Sequence, residues 1–140
     1  MSQEAIFTPF LGMMLLTVVV WLVMMVSRII FMSAEKIDGQ QVQSPDQFYA
    51  LAPARIAASG HNFRNLLEVP VLFYGICLYL FVTGQVDTNY IYAAYTFLAF
   101  RVIHSLIQCT VNIVNLRFLA YLVSSIAAAY MIVRATISVL

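Results

Sequence analysis

Polar positions are few along this chain, and they are unevenly spread. Four long apolar stretches stand out, from about Ile6 to Met32, His61 to Thr83, Thr88 to Asn112 and Leu116 to Leu140. Each reaches the roughly 20 residues needed to cross a hydrocarbon core. Helix is the form such stretches must take, because a strand alone in lipid leaves its backbone donors and acceptors unpaired. No sustained polar–apolar alternation points to a membrane barrel. Two short links, Gly84-Gln85-Val86-Asp87 and Asn112 to Asn115, predict antiparallel neighbours. The long polar segment over 34–54 holds Glu35, Lys36, Asp38, Gln40, Gln41, Pro45 and Asp46. It is expected either as a solvated loop or as a cover folded over the mouth of the bundle.

Composition sharpens the class. Of 140 residues, 63% are hydrophobic and 9% charged, against roughly a quarter charged in a soluble domain. So short a soluble chain has too much surface for its volume to hide that much apolar area. The expected fold is all-α, an integral membrane four-helix bundle with residues 1–140 as a single membrane domain. The first segment does not read as a cleavable signal, being too long and preceded by Glu4 without Lys or Arg. A net charge of +1 with no basic run gives no grip on nucleic acid.

Charge also suggests an orientation. Arg28, Lys36, Arg55 and Arg64 flank the long polar segment, and Arg117 sits at the third link; Arg134 is the exception. The positive-inside tendency then places both termini on the non-cytoplasmic side of a multi-pass protein. Tyr90, Tyr92 and Tyr95 suit an aromatic belt at the outer interface.

The polar residues within the helices carry the chemistry. At about 100° per residue, His61, Arg64, Asn65 and Glu68 share one face of the second helix. Arg101, His104, Ser105, Gln108 and Asn112 share a face of the third, and Arg117, Tyr121 and Ser124 a face of the fourth. A rise of 1.5 Å per residue puts Glu68 about 10 Å, His104 about 12 Å and Arg101 about 16 Å inside the cytoplasmic boundary. Ionised groups at such depth need partners and usually mark a functional site or a watery cavity. Glu68 with Arg101 is the expected pair, and His104 is expected to hydrogen-bond Glu68. One such pair could serve only to lock helices together, but Arg64, His104, Gln108, Arg117 and Tyr121 exceed what one bridge requires.

Other features have plainer readings. Pro70 removes the hydrogen bond to the Leu66 carbonyl and predicts a bend just beyond Glu68. Cys77 and Cys109 fall at different depths, which argues against a disulfide. Two His and two Cys so scattered define no metal site. The Met-rich first helix reads as adaptable packing.

The run His61-Asn62-Phe63-Arg64-Asn65-Leu66-Leu67-Glu68-Val69-Pro70 resembles the second-helix signature of the MAPEG superfamily, the membrane-associated proteins of eicosanoid and glutathione metabolism. Arg101-Val102-Ile103-His104 is similar to the family's third-helix Arg-x-x-His. Arg117 and Tyr121 lie at the spacing of its catalytic Arg and nearby Tyr, and Arg28 resembles the Arg that ends its first helix. The likeness covers nearly the whole chain and is nearest to the bacterial branch. It implies a homotrimer in a bacterial inner membrane, with glutathione as co-substrate between subunits and a small lipophilic substrate entering from lipid. By the same resemblance Arg28, Asn65, Glu68, Arg101 and Tyr121 would hold the tripeptide, and Arg117 would activate its thiol. Arg64 and His104 complete the expected binding set. The chain departs from the family at His61, where an Arg is usual, at Phe63, where a His is common, and at Gln108, where several members have Tyr. Arg64 is the cation that could replace the missing one.

Two functions follow from the resemblance. One is a glutathione-dependent transferase or peroxidase acting on a lipophilic electrophile. The alternative is a non-catalytic lipid-binding or scaffolding member. A transporter is a weaker idea, since the stripes occupy half the membrane and define no through-path.

Overall fold

The second apolar stretch does not fold as one helix. The computed structural model, which describes residues 2–140, divides it into α3 (Ala54–Leu66) and α4 (Val69–Val82). Pro70 has no amide hydrogen for the Leu66 carbonyl, so the helical ladder fails there. The last turn of α3 tightens instead, with Leu67 N donating to the Arg64 carbonyl at 3.0 Å and Glu68 N to the Asn65 carbonyl at 3.4 Å. Glu68 then leaves helical geometry altogether, at φ −95° and ψ −101°. The expected bend is a break, and it falls at Leu67–Glu68.

The remaining membrane-length helices are α1 (Phe7–Ala34), α5 (Thr88–Cys109) and α6 (Val114–Val139), while α2 (Pro45–Leu51) is short. Four segments are long and apolar enough to cross a membrane: Gln3–Ala34, Ala54–Val82, Thr88–Cys109 and Val114–Val139. Among the described residues there is no strand. Short connections make the second, third and fourth spans run antiparallel in turn, and α5 with α6 is the most extensive pairing. Leu15, Ile30, Leu106 and Ile126 lie bare on the outside, where lipid is the compatible solvent. The interior is filled by Met13, Phe73, Leu80, Phe97, Ala128 and Met131, with the Phe73 and Phe97 rings stacked 4.2 Å apart.

Two span boundaries and the polar segment differ most from the sequence reading. The second span begins at Ala54, two turns before His61, because Ala54, Arg55, Ala57 and Ala58 are good helix formers although Arg55 and Ser59 interrupt the hydropathy. The third ends at Cys109 rather than Asn112. Asn112 takes the left-handed φ of 49° and donates its amide to the Ile107 carbonyl at 2.7 Å, a helix-terminating turn. The polar segment is not all loop, since Ser44 and Gln47 form a capping box that starts α2 with Pro45 in its first turn.

Polar staples close the end of the bundle that carries both termini. The Gln3 side chain bonds both backbone groups of Val86. Asp87 caps α5 by accepting from Tyr90 N at 3.0 Å and forms an ion pair with Arg134 of α6. That pairing holds the Asp87 carboxyl at about 2, well below its ordinary 3.8. Arg134 also lies over the Tyr90 ring, 4.3 Å from its centroid. Tyr90 is therefore buried and belongs to no interfacial belt, whereas Tyr92 and Tyr95 are exposed.

Candidate functional site

The polar residues gather at the opposite end, where α3, α5 and α6 meet. α5 turns its stripe inward, and Arg101, His104, Ser105 and Gln108 are all buried. Their spacing of three and four residues puts them on one side of the helix, facing α3 and α6.

Arg101 is wholly enclosed, yet none of its guanidinium nitrogens has a hydrogen-bond partner. Its neighbours are rings, with the guanidinium carbon 4.8 Å from the Tyr121 centroid and 5.4 Å from that of Phe97. Such contacts attract a cation, but they do not satisfy its N–H groups. His104 Nδ1 and Gln108 Oε1 are likewise buried without partners. Buried polar atoms are nearly always hydrogen-bonded, so three such side chains on successive turns of one helix form a set of donors and acceptors ready for a polar guest.

Two adjoining cavities give that guest a place. One, of about 380 Å³, is lined by Ala54, Ala57, His61, Asn65, Gln108 and Arg117. The other, of about 230 Å³, is lined by Asn65, His104, Val114, Arg117, Phe118 and Tyr121. Asn65 and Arg117 stand in both walls. Arg117 rises from the first turn of α6, and its Nη1 donates to Asn112 Oδ1 at 2.7 Å. The imidazole of His104 and the ring of Tyr121 lie 6.2 Å apart.

Of the residues singled out in the sequence, Asn65, His104, Arg117 and Tyr121 thus share one cavity wall, and Arg101 packs against the Tyr121 ring beside them. Three do not join them. Glu68 and Arg64 are exposed on the outside of the protomer. The expected Glu68–Arg101 pair is absent, as is a Glu68–His104 hydrogen bond; Arg134–Asp87 is the ion pair found among the described residues. The break at Leu67–Glu68 is the cause, because it takes Glu68 off the helical spiral that would have continued the stripe. Arg28 lies apart, in a cavity of about 330 Å³ shared with Met32, Ser44, Pro45 and Phe48.

One functional neighbour escaped the sequence reading. Asn62 is completely buried between α3 and α5, accepting from Ser105 Oγ at 3.3 Å and donating to Cys109 Sγ at 3.4 Å. This link sets the register of α3 against α5 one turn before Asn65. The signal was the run Ala58, Asn62, Leu66, which marks the buried face of α3 at helical spacing. Cys77 lies in the apolar core and Cys109 is half-buried.

The family model described as the MAPEG family matches residues 6–137, nearly the whole chain. Neither a curated protein nor a solved structure matches it.

Proposed function

The chain belongs to the MAPEG family, and from that premise we propose that it is a glutathione-dependent transferase or peroxidase acting on a lipophilic electrophile in the membrane. The family includes glutathione transferases and related membrane proteins. The observation that carries the proposal is the set of unpartnered buried groups on Arg101, His104 and Gln108, next to a cavity walled by Asn65, Arg117 and Tyr121.

Glutathione fits this donor set. It brings carboxylates, one of which suits the Arg101 guanidinium, and amides, which suit Asn65 and Gln108. Arg117 is the group proposed to lie at the sulfur. A free thiol has a pKa of about 8.5, and a guanidinium donor favours the thiolate at neutral pH. The thiol proton passes to water, the sulfur bonds to the electrophilic carbon, and the displaced group leaves with the bonding electrons. Arg101, His104 and Tyr121 hold and orient the tripeptide.

Glu68 and Arg64 enter the proposal from outside the protomer. Glu68 lies midway along the Ala54–Val82 span and is exposed. A carboxylate there is costly against hydrocarbon, which supports self-association, a homotrimer in the family reading, with Glu68 and Arg64 turned towards a neighbouring copy. In the same reading the lipophilic substrate enters from lipid and both termini lie on the non-cytoplasmic side of a bacterial inner membrane.

The test is the ultraviolet thiolate absorbance of glutathione added to detergent-solubilised protein, beside Arg117→Ala. A signal at neutral pH that the variant loses supports Arg117 at the sulfur. Absence of both signal and binding removes glutathione, and the non-catalytic lipid-binding reading takes its place.

A further inference from the structure

Tyr49 occupies a position that neither the fold nor the proposed chemistry explains. It lies on α2, the seven-residue helix whose aromatic side chains meet α1 and α3. Local signals favour α2, with Ser44 and Gln47 at its start and Pro45 in its first turn. It is fastened to the bundle by two aromatic side chains. Phe48 is buried, edge-on to Phe31 at 6.0 Å. Tyr49 stacks on the His61 ring, centroids 4.7 Å apart and planes 27° from parallel. Its hydroxyl accepts from Arg28 Nη2 at 2.8 Å. Apart from the Ser44–Gln47 cap, this is the only side-chain hydrogen bond between α2 and the rest of the chain among the described residues.

The stack depends on Gly60. A Cβ at that position would run into the Tyr49 phenol, so the glycine is the seat on which the ring rests. The three nearest atoms such a Cβ would meet all belong to Tyr49.

Both residues that Tyr49 engages carry basic groups, and among the described residues neither forms an ion pair. Arg28 Nε is buried without a partner, and the Arg28 guanidinium otherwise faces the rings of Phe48 at 4.8 Å and Tyr49 at 5.4 Å. His61 lines the 380 Å³ cavity with Asn65 and Arg117. Tyr49 therefore stands between the Arg28 guanidinium and the cavity edge formed by His61, and it occupies the donors of Arg28 with a neutral hydroxyl.

We propose that Tyr49 is an autoinhibitory gate: the Tyr49–His61 stack and the Arg28–Tyr49 hydrogen bond hold α2 shut and withhold Arg28 until a carboxylate-bearing ligand in the His61–Asn65–Arg117 cavity displaces the phenol. A carboxylate is the stronger acceptor for Arg28, since a charge-assisted bond is about twice as strong as one to a neutral hydroxyl. Displacement frees the ring from Gly60 and lets α2 lift about its exposed connections. The choice of ligand rests on the glutathione reading; the latch itself does not.

Hydrogen–deuterium exchange of the full chain in detergent tests both parts. The samples are wild type, Tyr49→Phe and Gly60→Ala, each with and without glutathione, with calorimetry to report binding. Tyr49→Phe removes only the hydroxyl, and Gly60→Ala pushes the ring off while leaving every polar group in place. Without ligand, both variants should exchange the amides of 45–51 about tenfold faster than wild type, with 88–109 unchanged. Unchanged exchange over 45–51 in both variants overturns the latch, whether or not glutathione binds. With glutathione bound, wild type should show the same acceleration, and both variants should bind several-fold more tightly. Binding without acceleration in wild type overturns the gating role. Absence of glutathione binding in all three samples counts against the glutathione reading alone, and the ligand-free comparison still decides the latch.

Discussion

Arg117 Nη1 and Asn112 Oδ1 are joined at 2.7 Å across the turn between α5 and α6. Asn112 is also the residue whose left-handed backbone makes that turn. One residue thus ends a helix with its backbone and aims the guanidinium at the head of the next with its side chain. Asn112→Gly keeps the backbone free to adopt φ 49° but removes the acceptor. The thiolate signal of bound glutathione is expected to fall several-fold in this variant while the thermal midpoint stays near that of wild type. An unchanged signal shows that Arg117 needs no such anchor.

Arg101 separates function from stability. A buried charge without hydrogen bonds costs the fold, and replacement by an apolar side chain of similar length is often neutral or stabilising. Arg101→Met is expected to hold or raise the unfolding temperature while glutathione affinity drops at least about tenfold, the cost of one lost charge-assisted bond. A variant that unfolds without losing affinity assigns Arg101 to the scaffold instead.

Asn62 should behave in the opposite way. Asn62→Ala deletes both side-chain bonds of a fully buried residue and leaves Ser105 Oγ without its acceptor. A loss of about 1–3 kcal/mol in unfolding free energy is expected, read from thermal or denaturant melts in detergent. Asn62→Asp keeps the acceptor for Ser105 but buries a charge, and should cost at least as much.

The Asp87–Arg134 pair predicts a stability change confined to acid. The folded-state carboxyl titrates at about 2, below its ordinary 3.8. Its stabilising contribution is therefore complete above the unfolded value and disappears as pH falls through the folded one. The difference in melting temperature between wild type and Asp87→Asn should be constant above about pH 5 and shrink towards pH 2. Asn retains the helix-capping acceptor, so the comparison isolates the charge. A difference that does not vary with pH assigns the effect to hydrogen bonding alone.

Hydropathy identified the spans because lipid imposes a strong, one-dimensional constraint on the sequence. It located their ends less well. Ala54 to Gly60 is helical through propensity rather than hydropathy, and Asn112 ends α5 through a backbone angle that no apolar pattern encodes. The cluster of Asn65, His104, Arg117 and Tyr121 was visible because residues at helical spacing must share a face. Glu68 was assigned to the same face by that rule, which assumes an unbroken helix. Pro70 breaks it, and α3 ends at Leu66, two residues short of the carboxylate. Asn62 was hidden for a different reason: its partners, Ser105 and Cys109, come from another helix, and no periodicity along one helix reports them.

The bare Glu68 side chain, midway along the second span, also bears on the life of a newly made protomer. Hydrocarbon does not solvate a carboxylate, so the bilayer must thin locally or admit a finger of water to reach it. Each solitary copy thus carries its own dent in the membrane, and covering Glu68 lets the bilayer relax around the protein. The penalty belongs to the lipid rather than to any protein contact. In the proposed assembly that covers Glu68, this penalty would draw copies together in thick, ordered bilayers more strongly than in thin ones.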